Sequence, residues 1–357
     1  MHLYNKNILL ISPEPWSHLF VSKHHYAIEL SKRKNKVFFL NPPGNKNEKV
    51  ITRFDSLYEV NYTGFLRGLK YFPKPLIKKN IKTVYAKLEK LCGVKFDVIW
   101  SFDNSVFFDF DSLPDYLLKI SHIVDLNMDF NFGKASKTAH VCFSTSEAIL
   151  RKQLEFNQNS FKINHGYAYS DNENEHVFEN DSKIRCLYVG NLDIPYIHWS
   201  LFNELVEKYP EIEFLVAGKW DTINMHNRIL SNSNFHFLGL IPPEELNSYF
   251  LGVDILLLCY DNHNFFNQVS NPHKVMQYLG SGKIVFSKWM NEYENISNSD
   301  LILMSRKDEE FISSFDNLIA NLDYYNSNEL SEERRRFALN NSYSQKILEV
   351  ESYINKN

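Results

Sequence analysis

The sequence has 357 residues, of which 44% are hydrophobic and 23% are charged. This composition excludes a disordered or fibrous protein, and the length fits two domains of ordinary size. The formal net charge of −4 argues against nucleic acid as a general partner. We see no signal-peptide pattern and no apolar run long enough for a membrane span, so we expect a cytoplasmic protein, or one bound peripherally to the inner face of the cell membrane.

Short apolar runs alternate with helical patterns through the first half of the chain. The predicted strands are 7–11, 36–40, 98–101, 122–125, 140–144 and 161–164, and the first predicted helix is 22–32. In open parallel sheets ligands bind beyond the carboxyl ends of the strands, so polar residues at those ends are candidate site residues. They are Ser12, Glu14 and His18 after the first strand, Asp103 after strand 98–101, and Asp125 and Asp129 at the end of strand 122–125.

Two of these carboxylates are candidates for catalysis, Asp125 first and Asp103 second. A carboxylate at a strand end can act as a general base or can orient a substrate through its hydroxyl groups. An aspartate that caps the next helix would occupy the same position, so a structural role stays open. His24 and His25, inside helix 22–32, have no acidic partner at metal-ligand spacing, and we interpret them as helix surface.

The segment from Phe65 to Lys90 carries eight basic residues interleaved with aromatic and aliphatic ones. This pattern predicts a surface for anionic lipid head groups, and thus possible peripheral membrane contact. An amphipathic helix packed on its domain with a solvated lysine face would give the same pattern.

A polar stretch at 167–183 indicates a domain boundary. We predict an N-terminal domain at 1–170, a linker at 171–183, a second domain at 184–335 and a charged C-terminal helix at 336–357. In the second domain the predicted strands are 184–189, 213–217, 235–238, 254–259, 284–286 and 301–304. Strands that alternate with helices predict a parallel sheet with right-handed crossovers in each domain.

The segment Ser-Asn-Pro-His-Lys-Val-Met-Gln-Tyr-Leu-Gly at 270–280 predicts the start of a helix. Asn271 is a good N-cap and Pro272 a good first helical residue. Free backbone N–H groups, the positive end of the helix dipole and the charge of Lys274 would together suit a phosphate. Gln277 lies three residues further on, along the same face. A capped helix with a solvated lysine and glutamine would look the same.

Two further segments precede this helix, Asn-Phe-His-Phe-Leu-Gly-Leu-Ile-Pro-Pro-Glu-Glu-Leu at 234–246 and Val-Asp-Ile-Leu-Leu-Leu-Cys-Tyr at 253–260. The ordered run resembles the nucleotide-sugar half of GT-B glycosyltransferases, and it is most similar to the family 4-like enzymes of bacterial surface-polysaccharide assembly. The chain departs from that pattern in three places. Gln277 stands where the family has a ribose-binding Glu, Val269 where a Glu often lies near the donor sugar, and Asn191 where a basic residue often follows the first glycine.

The resemblance implies an α/β fold of two Rossmann-like domains facing across a cleft, with a C-terminal helix that returns to the first domain. It implies that the backbone of Leu240 and Ile241 reads the nucleotide base and that Ser270 belongs to the loop facing the donor sugar. Our candidate donor-binding residues are Gly190, Asn191, Lys219, Leu240, Ile241, Tyr260, Ser270, Asn271, His273, Lys274 and Gln277, and our candidate acceptor-binding residues are Ser12, Glu14, His18 and Asp129.

These features predict a glycosyltransferase of the hexosyltransferase type. It would move a sugar from a nucleotide-diphosphate sugar to a hydroxyl of a glycan or lipid-linked acceptor in surface-polysaccharide synthesis, and the resemblance implies a retaining outcome. Asp109 and Asp111 have the Asp-x-Asp spacing, but no predicted strand leads into them, so we expect neither a metal nor another obligatory cofactor. The alternatives are a catalytically inactive GT-B glycan-binding or scaffold module, which Gln277 and Val269 leave open, and a nucleotide-sugar epimerase of the same fold.

Overall fold

The computed structural model describes residues 2–125, 132–169, 176–179, 181–269 and 271–356. The chain divides into two compact units, which we call unit 1 (Met1–Gly166 with Tyr343–Asn357) and unit 2 (Tyr167–Ser342). The predicted linker at 171–183 lies partly outside the described residues, so the predicted domain boundaries stay predictions.

Unit 1 is built on an eight-stranded sheet with the order β3-β4-β2-β1-β5-β6-β7-β8. The strands are β1 Asn7–Ile11, β2 Lys36–Leu40, β3 Glu48–Ile51, β4 Leu57–Asn61, β5 Val98–Ser101, β6 Leu118–Ile123, β7 Val141–Ser144 and β8 Ser160–Lys162. The helices along this part of the chain are α1 Ser22–Ser31, α2 Lys74–Cys92, α3 Phe132–Thr138 and α4 Glu147–Leu154. Every strand pair is parallel except β3 with β4.

The central strands of unit 1 are continuous apolar runs because helices cover both faces of a parallel sheet. In β1, Ile8, Leu9 and Leu10 are fully buried. The predictions for 7–11, 36–40 and 98–101 match the strands observed. Sequence patterning missed β3 and β4, which lie at the sheet edge and carry several polar, solvent-accessible residues. The prediction at 122–125 was shifted: β6 ends at Ile123, so Asp125 lies two residues beyond the strand.

Unit 2 has a six-stranded, fully parallel sheet with the order β11-β10-β9-β12-β13-β14. The strands are β9 Ile184–Val189, β10 Ile212–Ala217, β11 Phe235–Phe237, β12 Ile255–Leu258, β13 Ile284–Lys288 and β14 Ile302–Ser305. The helices are α5 Trp199–Lys208, α6 Asn227–Leu230, α7 Leu246–Leu251, α8 Lys274–Ser281, α9 Asp308–Ala320, α10 Leu322–Tyr325 and α11 Asn328–Asn340.

The last helix, α12 (Tyr343–Asn355), follows α11 in the chain but belongs to unit 1. Glu351 accepts hydrogen bonds from Arg33 Nη2 at 2.8 Å on both carboxylate oxygens. The Tyr343 ring packs against the ring of Tyr26, with centroids 5.1 Å apart. The predicted charged helix at 336–357 therefore comprises two helices, and the part that completes the core of unit 1 begins at Tyr343.

Among the parallel strands of each sheet the order changes direction at one point, where ligands of open parallel sheets bind. In unit 1 this point lies between β1 and β5, and in unit 2 it lies between β9 and β12. The residues that follow these four strands are therefore the ones positioned to form a site. None of the helices within the described ranges has the length and apolar character that crossing a bilayer requires.

Candidate functional site

Lys274 is the first residue of α8 in unit 2. Its Nζ lies 3.3 Å from the hydroxyl of Tyr188, 4.3 Å from the centre of the Tyr188 ring and 5.7 Å from that of Tyr260. Within the described part of the chain no carboxylate forms an ion pair with it, and burial lowers its pKa to about 7. Desolvation without an opposite charge disfavours the ammonium form, so a bound anion would restore that form.

The helix that carries Lys274 begins later than the sequence predicts. Asn271 is not its N-cap and Pro272 is not its first residue, because regular helix starts at Lys274 after an N-cap at His273. The N–H of Val275 donates to the carbonyl of Pro272 at 3.2 Å, so a turn precedes the helix. The late start places the lysine itself in the first turn, next to the free N–H groups of the helix.

Glycines let the loops after β9, β10 and β11 pass close to one another. Gly190 (φ +154°) and Gly218 (φ +138°) adopt backbone conformations that disfavour other residues. A Cβ at Gly190 would meet Nζ of Lys274, and a Cβ at Gly218 would meet the carbonyl oxygen of Gly190. The N–H of Gly218 donates to the carbonyl of Gly239 at 2.8 Å. The loops next to Lys274 are consequently bare backbone packed closely together, and the Lys274 ammonium group fills the space beside Gly190.

Asp193 ties two of these loops together, and sequence reasoning missed it. Its carboxylate accepts hydrogen bonds from the backbone N–H of Asp221 and of Thr222, each at 2.8 Å, and from the Thr222 hydroxyl at 2.7 Å. These bonds lower the pKa of Asp193. The available signal was an aspartate three residues beyond a strand-end glycine, in the stretch where the resembled family often has a basic residue.

Three tyrosines form the wall beneath Lys274. Tyr260 is buried rather than directed outward, and its hydroxyl lies 3.4 Å from that of Tyr188. The hydroxyl of Tyr278 accepts a hydrogen bond from the N–H of Val189 at 2.9 Å. Sequence reasoning identified Tyr260 alone, because the other two lie inside a strand and a helix and read as core residues.

The other predicted donor-binding residues differ in their exposure to solvent. Gln277 is half-buried on α8 and Asn271 is half-buried just before it, whereas His273, Asn191 and Leu240 are exposed and Ile241 is half-buried. Lys219 is exposed and pairs with Asp221 at 2.5 Å, so its charge is already partnered. Ser270 lies outside the described residues. Val269 is 1% exposed and packs in the core of unit 2, so no polar group occupies the place of the family Glu there.

In unit 1 an ion pair follows β1. Glu14 pairs with Lys23, a buried residue of α1. The Ser12 hydroxyl donates to the backbone carbonyl of Glu14 at 2.7 Å and holds the loop in place. His18 is exposed, with Nδ1 2.7 Å from the carbonyl oxygen of Leu19. The lysine of this unit, unlike Lys274, has a carboxylate partner.

Two further carboxylates share this edge. Asp103 follows β5, is 6% exposed, and accepts a hydrogen bond from the N–H of Ser105 at 2.7 Å. Burial raises the pKa of Asp103, and the charge of Glu14 raises it further. The hydrogen bond from Ser105 acts in the opposite direction. Burial also raises the pKa of Asp125, which lies beyond β6. The charge of Lys23 lowers this pKa and the charge of Glu14 raises it. Asp125 is exposed, whereas Asp103 is buried. The predicted residue Asp129 lies outside the described residues.

Three histidines of unit 1, His24, His122 and His165, are buried and neutral. His24 is fully buried, contrary to its interpretation as helix surface, and burial lowers its pKa to about 4. His122 lies 4.7 Å from the ring of Phe102, and burial lowers its pKa to about 3. His165 has a pKa lowered to about 3 by burial, and its Nδ1 lies 2.8 Å from the Ser22 hydroxyl. At neutral pH none of these three histidines adds positive charge.

The described residues contain no cluster of three His, Cys, Asp or Glu side chains arranged for a metal ion. Asp109, from the Asp-x-Asp sequence, instead pairs with Lys134 at 2.8 Å. A short 3-10 helix at Phe110–Ser112 follows it, and no strand leads into it.

No protein-family model matches the sequence, and no curated protein is significantly similar to it. The structure is similar to sucrose-phosphate synthase from Thermosynechococcus elongatus, with a TM-score of 0.68 and 13% identity over 98% of each chain. It is also similar to a trehalose-6-phosphate synthase studied for glycosyl transfer with retention. The TM-score is 0.69 and the identity 11%, over 98% of this chain and 99% of that one. A third similar structure is the catalytic domain of Arabidopsis thaliana starch synthase IV, bound to ADP and acarbose. Its TM-score is 0.67 and its identity 9%, over 98% of this chain and 99% of that one. At such identities the likeness shows the fold alone, and this fold, two Rossmann-like α/β units of the GT-B class, is the one predicted from the sequence.

Proposed function

We propose that this protein is a glycosyltransferase that moves a sugar from a nucleotide-diphosphate donor to a hydroxyl group. The observation that carries the proposal is the environment of Lys274. Its ammonium group lies on aromatic rings at the start of a helix, beside glycine loops at the point where the strand order of unit 2 reverses. Phosphate groups bind where helix N–H groups, a cation and bare backbone converge.

Unit 2 would bind the donor through its diphosphate. Lys274 and the first N–H groups of α8 would neutralise the charge that develops on the leaving diphosphate, as a set of donors already in place. Gln277, one turn further along α8, would bind a ribose hydroxyl. The exposed backbone after Gly239, at Leu240 and Ile241, would contact the base. Since the helix and the lysine supply the positive charge, we propose that transfer needs no metal.

Unit 1 would bind the acceptor through its hydroxyl groups. The edge of its sheet carries three carboxylates, those of Glu14, Asp103 and Asp125. Among the charged groups that shift the pKa values of Asp103 and Asp125, Lys23 is the one cation. Lys23 is already paired with Glu14, so a phosphate on the acceptor would meet negative charge and, among the residues that the structure describes at this edge, no unpaired cation. Carboxylates accept hydrogen bonds from hydroxyls. We therefore propose a polyhydroxyl acceptor without phosphate at this point, such as the end of a glycan.

The finer features of the proposal are supported by resemblance. A hexosyl donor, a glycan or lipid-linked acceptor of surface polysaccharide, and a location in the cytoplasm or on the inner face of the membrane follow from the similarity to family 4-like enzymes. Retention is supported by the structural likeness to trehalose-6-phosphate synthase, studied for transfer with retention. In a retaining reaction Asp125 would orient the acceptor hydroxyl and accept its proton.

One observation favours a second function, a catalytically inactive module that binds nucleotide sugar or glycan. Val269 is buried where the resembled family has a Glu near the donor sugar, and Gln277 replaces the ribose-binding Glu. Such a module would keep the diphosphate site and lose turnover.

Two measurements test the proposal in sequence. First, thermal unfolding is recorded with UDP, ADP, GDP, CMP and dTDP, since a ligand that binds the native state raises its apparent stability. At least one diphosphate should raise the midpoint and its nucleoside should not. Second, release of that diphosphate from its sugar donors is measured with glycan acceptors. A shift with turnover supports the enzyme, a shift without turnover supports the inactive module, and no shift with any diphosphate contradicts both.

A further inference from the structure

The exposed face of α2 carries positive charge that the protein does not neutralise. Its exposed lysines are Lys74, Lys78, Lys79, Lys82, Lys87 and Lys90. In the described ranges none of these six forms an ion pair, whereas the exposed Lys208, for example, pairs with Asp316 at 2.7 Å. The one acidic residue of α2, Glu89, is buried and bound by Lys95 at 2.6 Å. The face is therefore free to bind an external anionic surface.

The lysines border a shallow groove of about 750 Å³. Pro75, Thr83 and Ala86 line it together with five of the lysines. The small side chains leave room for the methylene stems of the lysines to lie along the helix, which keeps their ammonium groups in water. Such a face can spread its charges over a flat partner rather than concentrate them on one small anion.

Large apolar side chains are exposed directly before and at the start of α2. They are Leu66, Tyr71, Phe72 and Leu76, of which Tyr71 is 80% exposed. Tyr71 lies on a short 3-10 helix at Leu69–Tyr71, and the buried residue Leu69 anchors this helix to the core. On the opposite side of α2, Ile77 and Ile81 are buried, so the orientation of the basic face is fixed by packing. We call the exposed side chains of Leu66, Tyr71, Phe72 and Leu76 the apolar tip.

We infer that the basic face of α2 and the apolar tip bind the surface of a bilayer that contains anionic lipids. Lysines near such a surface are attracted to its negative potential, and aromatic and aliphatic side chains partition into the head-group region. The phosphates of a nucleic acid could bind the lysines, but its backbone has no apolar region for the apolar tip. The net charge of −4 also opposes nucleic-acid binding. Membrane binding would bring the protein to the lipid-linked acceptor of the proposed function. The observations behind the inference all concern residues of unit 1.

Sedimentation of the full-length protein with vesicles tests this surface without any transfer assay. The protein should sediment with vesicles of phosphatidylcholine and phosphatidylglycerol at low salt, and not with phosphatidylcholine alone. Rising ionic strength should release it, because screening shortens the reach of the attraction. A failed transferase proposal would leave this result unchanged, so the two proposals can fail separately.

Four substitutions test the face itself, Lys78→Gln, Lys79→Gln, Lys82→Gln and Lys87→Gln in one variant. Each lysine near the surface contributes about fivefold in partitioning, so together they should lower it on the order of a hundredfold or more at low salt. Glutamine keeps the helix propensity, and a circular dichroism melt checks the fold. The matched control removes the same charge at the exposed residues Lys36, Lys46, Lys137 and Lys152, and it should bind like the wild type.

The tip is tested by Tyr71→Ser with Leu76→Ser, which should weaken the binding that survives at moderate salt severalfold. Absence of sedimentation with anionic vesicles at low salt overturns the inference. So does an equal loss in the two lysine variants, which would show a net-charge effect. Binding to a DNA duplex as tight as to anionic vesicles also overturns it, since the face would then be a general polyanion site.

Discussion

Lys23 in unit 1 and Lys274 in unit 2 both lie near the carboxyl end of their sheet, but the two lysines have opposite surroundings. Lys23 in unit 1 is paired with Glu14, and two more carboxylates, Asp103 and Asp125, feel its charge. Lys274 in unit 2 lies on the rings of Tyr188 and Tyr260, and within the described residues no carboxylate pairs with it.

The difference shows how one architecture produces two kinds of site. A lysine that already has a carboxylate cannot supply net charge to an anion, whereas a desolvated lysine without one gains from binding an anion. On this basis we propose that unit 2 binds the diphosphate and unit 1 the hydroxyl groups of the acceptor. The following predictions test that contrast, beginning with the largest expected effect.

The first prediction concerns Asp125. If it accepts the proton of the acceptor hydroxyl, Asp125→Asn should lower kcat by about 10²-fold or more, because the shape is kept while the proton acceptor is lost. The affinity for the nucleotide diphosphate, measured by calorimetry, should not change. Asp103→Asn is the companion variant. An unchanged kcat in Asp125→Asn with a large loss in Asp103→Asn would move the role to Asp103.

The second prediction concerns Lys274. Lys274→Ala should weaken binding of the diphosphate by roughly 1.5–3 kcal/mol, the scale of a charge-assisted hydrogen bond that is lost. Binding of the nucleoside should stay nearly unchanged, because it carries no phosphate. Lys219→Ala is a suitable control, since that exposed lysine is already paired with Asp221. Equal diphosphate affinity in the wild type and Lys274→Ala would remove the basis for the donor site.

The third prediction concerns the close loops of unit 2. Gly218→Ala should lower the free energy of unfolding by about 1–3 kcal/mol, because φ is positive there and the new Cβ would meet the carbonyl oxygen of Gly190. Urea unfolding measures the change. Gly44→Ala is the control, since a Cβ there meets nothing within 4 Å and should change stability by less than about 0.5 kcal/mol. Equal effects of the two substitutions would show that the loops are not closely packed.

The fourth prediction concerns pH. The pKa of Lys274 in the free protein is about 7, and a bound diphosphate should raise it. Binding should therefore take up a proton above pH 7, and the affinity should fall by up to about tenfold for each further pH unit. Calorimetry in buffers of different ionisation enthalpy counts the protons. The variant Lys274→Ala should lose this uptake, and a wild type that binds without proton uptake at pH 8 would contradict the assignment.

Sequence patterning located most central strands because parallel strands buried on both faces are unbroken apolar runs. It singled out Asp103 because that residue follows such a run at the end where ligands bind, and Lys274 because the segment at 270–280 predicts the start of a helix. The roles of both residues stay predictions. It failed where contacts distant in sequence decide the structure. Val269 and His24 are examples, since nothing in their neighbours in the chain indicates that the first packs in the core and the second is fully buried.

The sequence by itself determined the α/β class, the order of most central strands and the identity of the residues that follow them, because these depend on local periodicity and on glycine and proline positions. Only the tertiary structure decided which charges are paired. Lys23, Lys219 and Lys274 all look like single cations near the ends of elements, yet Lys23 meets Glu14, Lys219 meets Asp221 and Lys274 meets aromatic rings. The pKa and the ligand preference of a lysine depend on those neighbours, which the fold brings together from separate parts of the chain.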